Sequence, residues 1–373
     1  MLKTIFFFIG TDAEFIKLFP IIDECKQNKV SIKIIASGQN DITKSRILSA
    51  IHYGPLDLEL SQEDSIKKNA IGLFNWFAKT KRNAVKKIKN AFPETDFSNS
   101  IMVVHGDTVS TLMGASVGQK LGMTVCHVEA GLRSHNLLNP FPEEIDRMLT
   151  SRKCRLHFAP GSQPCENLSK AKGKVINTKF NTILDSLHFS MKIQEQNPII
   201  KELKQQEYFV FVIHRQENLM NKKFVIESVE EILKVACNMK CVIILHIPTK
   251  VTFENLGILS KLEKDKNIVL VPRMDYFDFM KLLDYSQFVI TDGGSNQEEL
   301  HYMGKPCLIM RKTTERNQGI GQNAVMYEGD VKNISRFYEN YKDKKLAKTF
   351  AENSPSHIIY QELVREINKH REK

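Results

Sequence analysis

The chain has few of the features that mark a membrane, secreted or metal-binding protein. No apolar run in its 373 residues approaches the roughly 20 residues of a membrane-spanning helix. Its seven cysteines are odd in number and include no C-x-x-C pair, so there is no zinc pattern and the thiols are typical of a reducing compartment. We therefore expect a cytoplasmic protein with no membrane span and no bound metal.

The sequence also lacks the patterns of targeting signals and nucleic-acid binding. Its first segment, MLKTIFFFIG, is too short for a signal peptide and is followed by no small-residue cleavage site, so we interpret it as a buried strand. The net charge is +10, but the lysines are dispersed, few aromatic residues lie between them and no nucleic-acid module is recognisable. We expect a solvated lysine-rich surface and no nucleic acid partner; an anionic ligand or acidic surface is the alternative.

Apolar runs alternate with amphipathic stretches along nearly the whole chain. Short runs rich in Val, Ile and Phe, bounded by polar turns and separated by helix-length gaps, are typical of parallel strands joined by crossover helices. The runs that we assign as strands are TIFFFIG, SIKIIAS, SIMVVHGD, MTVCHVEA, LHFAP, YFVFVIHR, KCVIILHI, NIVLVPR, QFVITDGG and PCLIMR.

These runs fall into two sets, so the chain is predicted to fold as two Rossmann-like, doubly wound α/β domains. Residues 184–205, between the sets, contain no long apolar run and are assigned as the hinge. We place the N-terminal domain at residues 1–185 and the C-terminal domain at 186–355. The last stretch, 356–373, is predicted to be an amphipathic helix that packs back on the N-terminal domain.

Three carboxylates follow apolar runs in the stretch from VVHGD to FPEEIDR. Asp107 ends VVHGD, Glu129 lies in CHVEAGLR and Glu143 lies in FPEEIDR. Open α/β sheets build active sites at strand ends, and carboxylates that converge there favour proton-transfer chemistry. This stretch is therefore the first candidate site.

The same stretch admits structural roles for its acids. Asp107 precedes a helix-length segment and would serve as a helix N-cap. Glu144 or Asp146 would pair with Arg147, so at least one acid of FPEEIDR is expected to be structural.

A second candidate site is the segment TDGGSNQEEL, which follows the apolar run QFVI. Ser295 and Glu298 have the spacing of a capping box, so a helix is predicted to begin there, after two glycines. Unpaired N–H groups at such a helix start bind anions, which favours a phosphate site. Glu299, one turn in, would accept hydrogen bonds from a ribose diol. The alternative is an ordinary capped turn.

Basic side chains follow three further strands. His214 and Arg215 come directly after YFVFVI, and His246 is the penultimate residue of KCVIILHI. Arg311 and Arg316 follow PCLIM, where arginines can clamp a diphosphate with paired hydrogen bonds. A structural histidine and a solvated basic loop are the alternatives at these positions.

Together, these motifs resemble those of the UDP-N-acetylglucosamine 2-epimerase family. The matching segments stand in the family's order and spacing and extend over nearly the whole chain. They are HGDT, HVEAGLR, PFPEEIDRMLT, HR-x-E, TDGG-x-x-QEE, GKPCLIMR and TTER. Any one segment is weakly specific, whereas the ordered set is highly specific.

The resemblance implies a GT-B-like fold, in which the two domains face a cleft that binds a UDP-sugar without a cofactor or metal. It implies that a base removes the C2 proton, UDP leaves C1 by anti elimination and 2-acetamidoglucal forms. Reprotonation on the opposite face and re-addition of UDP then give the manno epimer. A branch of the family instead adds water and releases N-acetylmannosamine and UDP. The non-hydrolysing reaction, feeding surface polysaccharide synthesis, is our leading hypothesis.

The resemblance and the strand-end positions together assign roles to individual residues. The catalytic set is Asp107, Glu129, Glu143 and His214. The substrate-binding set is Lys17, Arg133, His246, Phe279, Gly293, Gly294, Ser295, Glu299, Arg311 and Arg316. In the family, the turn with the two glycines binds the diphosphate, the glutamate binds the ribose and the aromatic lies near the uracil.

The chain departs from the family pattern in two loops. The family usually begins G-T-R-P-E and its arginine contacts the nucleotide, whereas residues 10–14 read GTDAE here. Asp12 in place of that cation should weaken diphosphate binding by about 2–5 kcal/mol, the effect of a lost charged contact, unless another group compensates. The family's G-Q-H is GQN at residues 38–40, in a region that contributes to an allosteric second UDP-GlcNAc site in the non-hydrolysing enzymes.

Two other functions fit part of the pattern. A GT-B glycosyltransferase that uses a UDP-sugar would share the nucleotide-binding turn, but it has no need of three proton-handling acids in the N-terminal half. A non-catalytic UDP-sugar sensor is the other alternative, motivated by Asp12. The family tends to dimerise through its N-terminal domain, so a homodimer is the implied assembly.

Overall fold

The computed structural model describes residues 2–61, 70–135, 143–314, 316–349 and 353–369, excluding the side chains of residues 70–75. The chain divides into two compact units. The N-terminal unit comprises Met1–Ser186 and Glu352–Lys373, and the C-terminal unit comprises Leu187–Ala351. None of the described helices is long and apolar enough to cross a membrane.

The N-terminal unit is built on a parallel sheet. Its described strands are β1 Ile5–Ile9, β2 Ile32–Ala36, β3 Leu58–Glu59, β4 Ile101–His105, β5 Thr124–Val128, β6 Leu156–Ala159 and β7 Lys174–Asn177. They lie in the order β3-β2-β1-β4-β5-β6-β7. The order reverses between β1 and β4, where Ile5 pairs with Ile101, so this position is the topological switch point of the sheet.

The C-terminal unit has a second parallel sheet with the same design. Its described strands are β8 Tyr208–Val212, β9 Lys240–Leu245, β10 Ile268–Pro272, β11 Val289–Thr291, β12 Cys307–Ile309 and β13 Ala324–Met326. They lie in the order β10-β9-β8-β11-β12-β13. The switch point falls between β8 and β11, where Val210 pairs with Val289.

Helices connect the parallel strands in both units. The described α-helices are α1 Asp12–Gln27, α2 Arg46–Ala50, α3 Ala70–Ala91, α4 Val109–Lys120, α5 Glu143–Ser151, α6 Ser162–Asn167, α7 Ile183–Lys192, α8 Pro198–Leu203, α9 Gln216–Leu219, α10 Lys222–Ala236, α11 Ile247–Asn255, α12 Leu259–Leu262, α13 Tyr276–Tyr285, α14 Gly294–Tyr302, α15 Asn333–Asn340 and α16 Pro355–Lys369. Short 3₁₀ helices span Phe97–Asn99 and Tyr341–Lys344.

The central strands are buried along their whole length. Every residue of β1, with the sequence IFFFI, and of β8, with the sequence YFVFV, is buried. Continuous burial is expected for a parallel strand that is covered by helices on both faces. The predicted α/β class with two doubly wound sheets is confirmed, and each run that was assigned as a strand contains one.

The sequence did not reveal three strands, β3, β7 and β13. All three lie at the edges of the sheets. β3 has only two residues, and the outer residues of β7, with the sequence KVIN, are exposed. An edge strand is covered less completely than a central one, so it needs no continuous apolar run.

The C-terminal helix α16 belongs to the N-terminal unit and packs against α1. The backbone N–H of Ser356 donates to Asp185 over 2.7 Å, and Lys174 Nζ lies 2.5 Å from Glu362 Oε2. Residues 370–373 of the predicted helix lie outside the described residues.

Candidate functional site

The acids of the N-terminal unit cluster at the switch point between β1 and β4. Asp107 follows β4, and the cap of the helix after it is Thr108: Thr108 Oγ1 accepts from the N–H of Thr111 over 3.2 Å, and Thr111 Oγ1 accepts from the N–H of Thr108 over 3.1 Å. The alternative in which Asp107 is the N-cap is therefore wrong. Its carboxylate instead accepts a hydrogen bond from Arg147 Nη2.

Glu129 has an unusual backbone at the end of β5. Its φ is +60°, a left-handed conformation that costs a non-glycine residue roughly 1–3 kcal/mol and is concentrated at functional sites. Gly131 also has a positive φ, of +86°, and a Cβ there would lie 2.2 Å from the carbonyl oxygen of Pro164. The turn is therefore closely packed, and it holds the Glu129 side chain in a fixed position.

The Glu129 carboxylate is held by cationic and amide donors from distant parts of the chain. Lys17 Nζ, on α1, lies 2.5 Å from Glu129 Oε2, and the same oxygen accepts from Asn181 Nδ2. The ring nitrogen Nε2 of His105 lies 3.7 Å away. The side chains of Lys17 and Glu129 are only 6% and 7% exposed, so this is a buried ion pair between two predicted site residues.

Arg147, on α5, is the common partner of the acids in this unit. Its Nη2 bonds Asp107 and its Nη1 lies 3.2 Å from Glu144 Oε2, so Glu144 is the structural partner that the sequence left open. Burial would lower the pKa of Arg147, but the charges of Asp107, Glu144 and Glu129 raise it above its usual value. Arg147 is therefore a buried, permanent cation that both Asp107 and Glu129 face.

The predicted residue Arg133 supports the start of α5. Its Nε lies 3.8 Å from Glu144 Oε1, and the N–H of the next residue, Ser134, donates to Glu144 Oε2 over 3.0 Å. The structure thus places Arg133 behind the acids, where it helps to fix Glu144.

The predicted residue Glu143 lies at the start of α5, beside an acid that sequence reasoning did not select. Asp146 is only 6% exposed. Burial, and then the charges of Glu143 and Asp107, raise the pKa of Asp146 to about 7. Asp107 bonds Arg147, and the charge of Glu129 also acts on Arg147. The charges of Glu143 and Asp107 act on Asp146, so the three predicted catalytic acids share charged neighbours.

Glu14, in the first turn of α1, is a second acid that was not selected. Its Oε1 accepts from Thr108 Oγ1 over 2.5 Å and its Oε2 accepts from the N–H of Gly10 over 2.6 Å. Burial raises the pKa of Glu14 to about 7, although both hydrogen bonds act in the opposite direction. Glu14 ties the loop after β1 to the loop after β4.

The structure gives Asp12 a local role. It is the first residue of α1, directly after the N-cap Thr11. A negative charge in the first turn interacts favourably with the helix dipole, by about 0.3–1 kcal/mol. The anion that replaces the family's arginine is therefore compatible with the helix that carries Lys17.

In the C-terminal unit, Asp292 lies at the switch point between β8 and β11 and organises the loops there. Its side chain is fully buried and accepts from the N–H groups of His214 and Arg215 over 3.1 and 3.0 Å. It also accepts from Asn218 Nδ2 over 3.0 Å. Burial would raise the pKa of Asp292, but the hydrogen bond and charge of His214, with the other donors, lower it below the usual range.

The two predicted histidines stack on each other beside Asp292. The rings of His214 and His246 have centroids 4.9 Å apart and an interplanar angle of 25°. His214 Nδ1 lies 3.1 Å from Asp292 Oδ1, which fixes the orientation of the ring. Burial, and then the charges of His214 and Arg273, lower the pKa of His246 to about 4.

The predicted anion-binding turn is a helix start, although its cap differs from the expectation. α14 begins at Gly294, and its N-cap is Gly293, which has no side-chain capping bond. The capping box of Ser295 and Glu298 is therefore wrong, because Ser295 already lies inside the helix. Without a capping side chain, the first N–H groups of α14 are the kind of donor that an anion can use.

Buried polar residues of α14 fix the loop that contains the predicted Arg316. Gln297 is fully buried, and its Nε2 donates to the carbonyl oxygens of Arg316 and Gln318 over 3.0 and 2.9 Å. Thr314 Oγ1 donates to Gln297 Oε1 over 2.9 Å. Glu298 accepts a hydrogen bond from Arg316 Nη1, which explains why Glu298 does not cap the helix.

The remaining predicted residues lie on neighbouring elements of the same unit. Glu299 is buried, accepts from Asn296 Nδ2 over 2.9 Å, and acts with burial to raise the pKa of Tyr276 well above its usual value. Phe279 lies half-buried on α13, and Arg311 lies half-buried two residues after β12.

Several residues of these sites gave little signal in the sequence. Glu14 and Asp146 stand among other acids in motifs that were already noted, and only burial distinguishes them. Asp292 and Gln297 lie inside the predicted turn. Only the structure shows that each of them forms hydrogen bonds to neighbouring loops. In the described part of the chain, no group of three or more His, Cys, Asp or Glu side chains has an arrangement that could hold a metal ion.

Comparison with known proteins decides the family. The sequence profile of the family described as UDP-N-acetylglucosamine 2-epimerase matches residues 23–360. This chain belongs to the UDP-N-acetylglucosamine 2-epimerase family. The resemblance that the ordered motifs predicted is confirmed.

Relatives of this epimerase-family chain cover most of its length. A UDP-N-acetylglucosamine 2-epimerase of Bacillus subtilis is 30% identical over 336 residues, which are 87% of this chain and 83% of the relative. One from Campylobacter jejuni is 31% identical over 357 residues, which are 90% of this chain and 88% of the relative. The crystal structure of the Neisseria meningitidis enzyme, bound to UDP-GlcNAc, matches with a TM-score of 0.81 at 26% identity and covers 98% of this chain and 100% of its own.

Proposed function

We propose that the protein is a UDP-N-acetylglucosamine 2-epimerase of the non-hydrolysing type. Membership of the family supports the substrate class. The observation that carries the proposal is that Asp107 pairs with Arg147, whose pKa Glu129 also raises, while the charges of Glu143 and Asp107 act on the buried Asp146. A reaction that both removes and returns a proton needs several carboxyl groups with different partners.

In the proposed reaction, one carboxylate removes the proton from C2 of the sugar, and the electron pair of the C–H bond forms the C1–C2 double bond as UDP leaves C1. A carboxylic acid then delivers a proton to the opposite face of C2, and UDP adds back to C1. Atoms and charges balance without an oxidant or reductant. Glu129 is ion-paired with Lys17, and Asp107 is ion-paired with Arg147.

We propose that the C-terminal unit binds the UDP moiety. The first N–H groups of α14, at Gly294 and Ser295, would hold the diphosphate beside the turn at Gly293, whose own N–H donates to Thr291 Oγ1 over 3.0 Å. Glu299 would accept hydrogen bonds from the ribose. The buried bonds of Gln297 to the loop of Arg316 support this assignment, since they would keep a cation beside the same helix start. His214 and His246 would complete the site.

Product analysis tests this proposal. The full-length protein is incubated with UDP-GlcNAc, and the mixture is resolved by anion-exchange chromatography and proton NMR. We expect UDP-N-acetylmannosamine in equilibrium with the substrate, without accumulation of UDP. If neither an epimer nor free UDP forms from UDP-GlcNAc or another UDP-HexNAc, the proposed function is wrong.

The same incubation separates the non-hydrolysing reaction from its alternatives. N-acetylmannosamine and UDP formed in equal amounts would identify a hydrolysing epimerase. UDP released only when a sugar acceptor is added would identify a glycosyltransferase. Tight UDP-sugar binding with no product would identify a sensor.

As parts of the same proposal, the enzyme acts as a cytoplasmic homodimer and supplies an activated manno sugar for surface polysaccharide synthesis. Sedimentation equilibrium of the full chain would give the mass of a dimer, and a monomer at micromolar concentration would contradict the assembly.

Deletion of the encoding gene should remove N-acetylmannosamine-derived sugars from the cell surface, and an unchanged surface composition would contradict that role.

A further inference from the structure

Two carboxyl oxygens near the start of α5 are buried without a hydrogen-bond donor among the described residues. They are Oε2 of Glu143 and Oδ2 of Asp146. The two residues are three positions apart on one helix, so their side chains lie on the same face. Buried polar atoms are nearly always hydrogen-bonded, so two adjacent exceptions require an explanation.

The cation of this region does not resolve the problem, because the hydrogen bonds that it makes to carboxyl groups go to other acids. Arg147 Nη1 bonds Glu144 and Nη2 bonds Asp107. The charges that act on Asp146 are those of Glu143, on its own helix, and of Asp107, from the loop after β4. Both have the same sign as an ionised Asp146.

The neighbouring elements add little that could neutralise Asp146. Helix α4, which packs against α5, contains Lys120 as its only ionisable residue, in its last turn. Glu129, at the end of β5, is paired with Lys17. Two neighbouring carboxylates, of which Asp146 is buried and Glu143 half-buried, cannot both be ionised at low cost without a cation of their own.

We propose that Glu143 and Asp146 hold one proton between them at neutral pH, so that Asp146 is a positioning residue that keeps Glu143 able to give and take a proton. The hydroxyl of one carboxyl group then donates to the carboxylate of the other, so that one of the two oxygens is the donor and the other the acceptor of a single hydrogen bond. Asp107 accepts its hydrogen bond from Arg147 and takes no part in this pair. The part of this inference that concerns turnover rests on the proposed function, whereas the shared proton is a property of the folded chain alone.

The electrostatics of the site agree with this arrangement. Burial, followed by the charges of Glu143 and Asp107, raises the pKa of Asp146 to about 7. Groups that interact this strongly titrate as a pair with macroscopic pKa values. The cluster would contain an ionised and a protonated carboxyl group at the same pH, as an elimination followed by reprotonation requires.

The direct test is a titration of the full-length protein with only its aspartate side-chain carboxyl carbons labelled with ¹³C. We expect one carbon, that of Asp146, to titrate near pH 7. Its signal should vanish in Asp146→Asn and remain in Asp343→Asn, which changes an exposed aspartate. Glu14 does not interfere, since glutamates carry no label. The proposal is overturned if every aspartate carbon titrates below about pH 5, or if the signal persists in Asp146→Asn.

A second measurement covers the case in which Asp146→Asn does not fold. In Glu143→Gln, the loss of the like charge should lower the midpoint of the same carbon by about one pH unit or more. An unchanged midpoint would contradict the pair.

The role in turnover is tested by the pH dependence of proton exchange at C2. Asp146→Asn should shift one limb of the kcat profile by about one pH unit or more, and Asp146→Glu should restore it. An unshifted profile with normal folding would overturn the positioning role. If the titration near pH 7 is found but no exchange occurs at any pH, the proposed function fails and the shared proton stands.

Discussion

Two buried acids, one in each unit, behave in opposite ways. Asp292 and Glu14 are 0% and 2% exposed, so burial alone would raise the pKa of both. His214, Arg215 and Asn218 all donate to Asp292, and its pKa falls below the usual range. Glu14 receives two hydrogen bonds, and its pKa rises to about 7.

The comparison shows that the supply of donors and cations, and not depth, decides the charge of these groups. In the C-terminal unit, an anion is fully satisfied and holds the loops after β8 and β11 together. In the N-terminal unit, Glu14 and Asp146 are buried with too few donors, so they exchange protons near neutral pH. The C-terminal unit thus contains an acid whose pKa is lowered, and the N-terminal unit contains acids whose pKa is raised to about 7.

The largest effect is expected from Glu129→Gln. This change removes a carboxylate that Lys17 and Asn181 hold in place, and we expect turnover to fall by about 10²–10⁴-fold, the range for loss of a general acid or base. The rate of UDP-GlcNAc conversion and the affinity for UDP from calorimetry are measured. UDP affinity should stay largely unchanged, because Glu129 belongs to the N-terminal unit.

Glu166→Gln is the matched control for this change. It alters an exposed glutamate of the same unit and should leave the rate within twofold of the wild type, roughly the scatter of such measurements. Retention of more than a tenth of the rate by Glu129→Gln would contradict a direct role for Glu129.

Asp292→Asn should have the next largest effect, on stability. An amide cannot accept from all the donors that face Asp292, so we expect a loss of about 2–4 kcal/mol, as for a broken buried charged network. Urea unfolding measures it at neutral pH. The pKa of Asp292 is lowered in the folded state, so its contribution is present above the unfolded pKa of about 3.9 and is lost as the pH falls through the folded value.

The free energies of unfolding of the wild type and of Asp292→Asn should therefore differ less in acid than at neutral pH. An equal difference in stability at both pH values would show that Asp292 is not held as an anion.

Glu14→Gln should have a smaller effect with the opposite pH dependence. The pKa of Glu14 is raised to about 7 in the folded state, so stability is greatest below the unfolded value of about 4.3 and declines as the pH rises through about 7. Between about pH 5 and pH 8, the melting temperature of the wild type should fall further than that of the variant. Parallel melting curves across this range would contradict the raised pKa.

The smallest effect is expected from Ser295→Ala. Because Gly293 is the cap of α14, removal of this hydroxyl should change the free energy of unfolding by less than about 0.5 kcal/mol. A loss of UDP affinity without a loss of stability would assign the hydroxyl to ligand binding. A loss of about 1 kcal/mol in stability would restore the capping role that the sequence predicted.

The sequence was sufficient for the sheets and for the acids that follow strands directly. Short continuous apolar runs between polar turns, such as IFFFI and YFVFV, are typical of central parallel strands. Residues that follow such runs, including Asp107, Glu129 and His214, were therefore found from local pattern. The edge strands were missed because partial exposure removes the apolar pattern on which the prediction depends.

Pairings between distant residues could not be read from the sequence. Lys17 and Glu129 are 112 positions apart, and only the fold brings them together. The sequence offered Glu144 and Asp146 equally as partners of Arg147, and helix geometry gave the bond to Glu144 and left Asp146 among like charges. The capping box failed for a similar reason, because Arg316 bonds Glu298 from outside the helix.

The central claim is that the acids of the N-terminal unit move a proton on a UDP-sugar. Solvent exchange at C2 tests this claim most directly. The wild type is incubated with UDP-GlcNAc in deuterated water, and the recovered sugar nucleotides are analysed by NMR and mass spectrometry. We predict deuterium at C2 of both the gluco and the manno epimer, at a rate that collapses in Glu129→Gln. Epimerisation with the original proton retained at C2, or no exchange at all, would contradict the account.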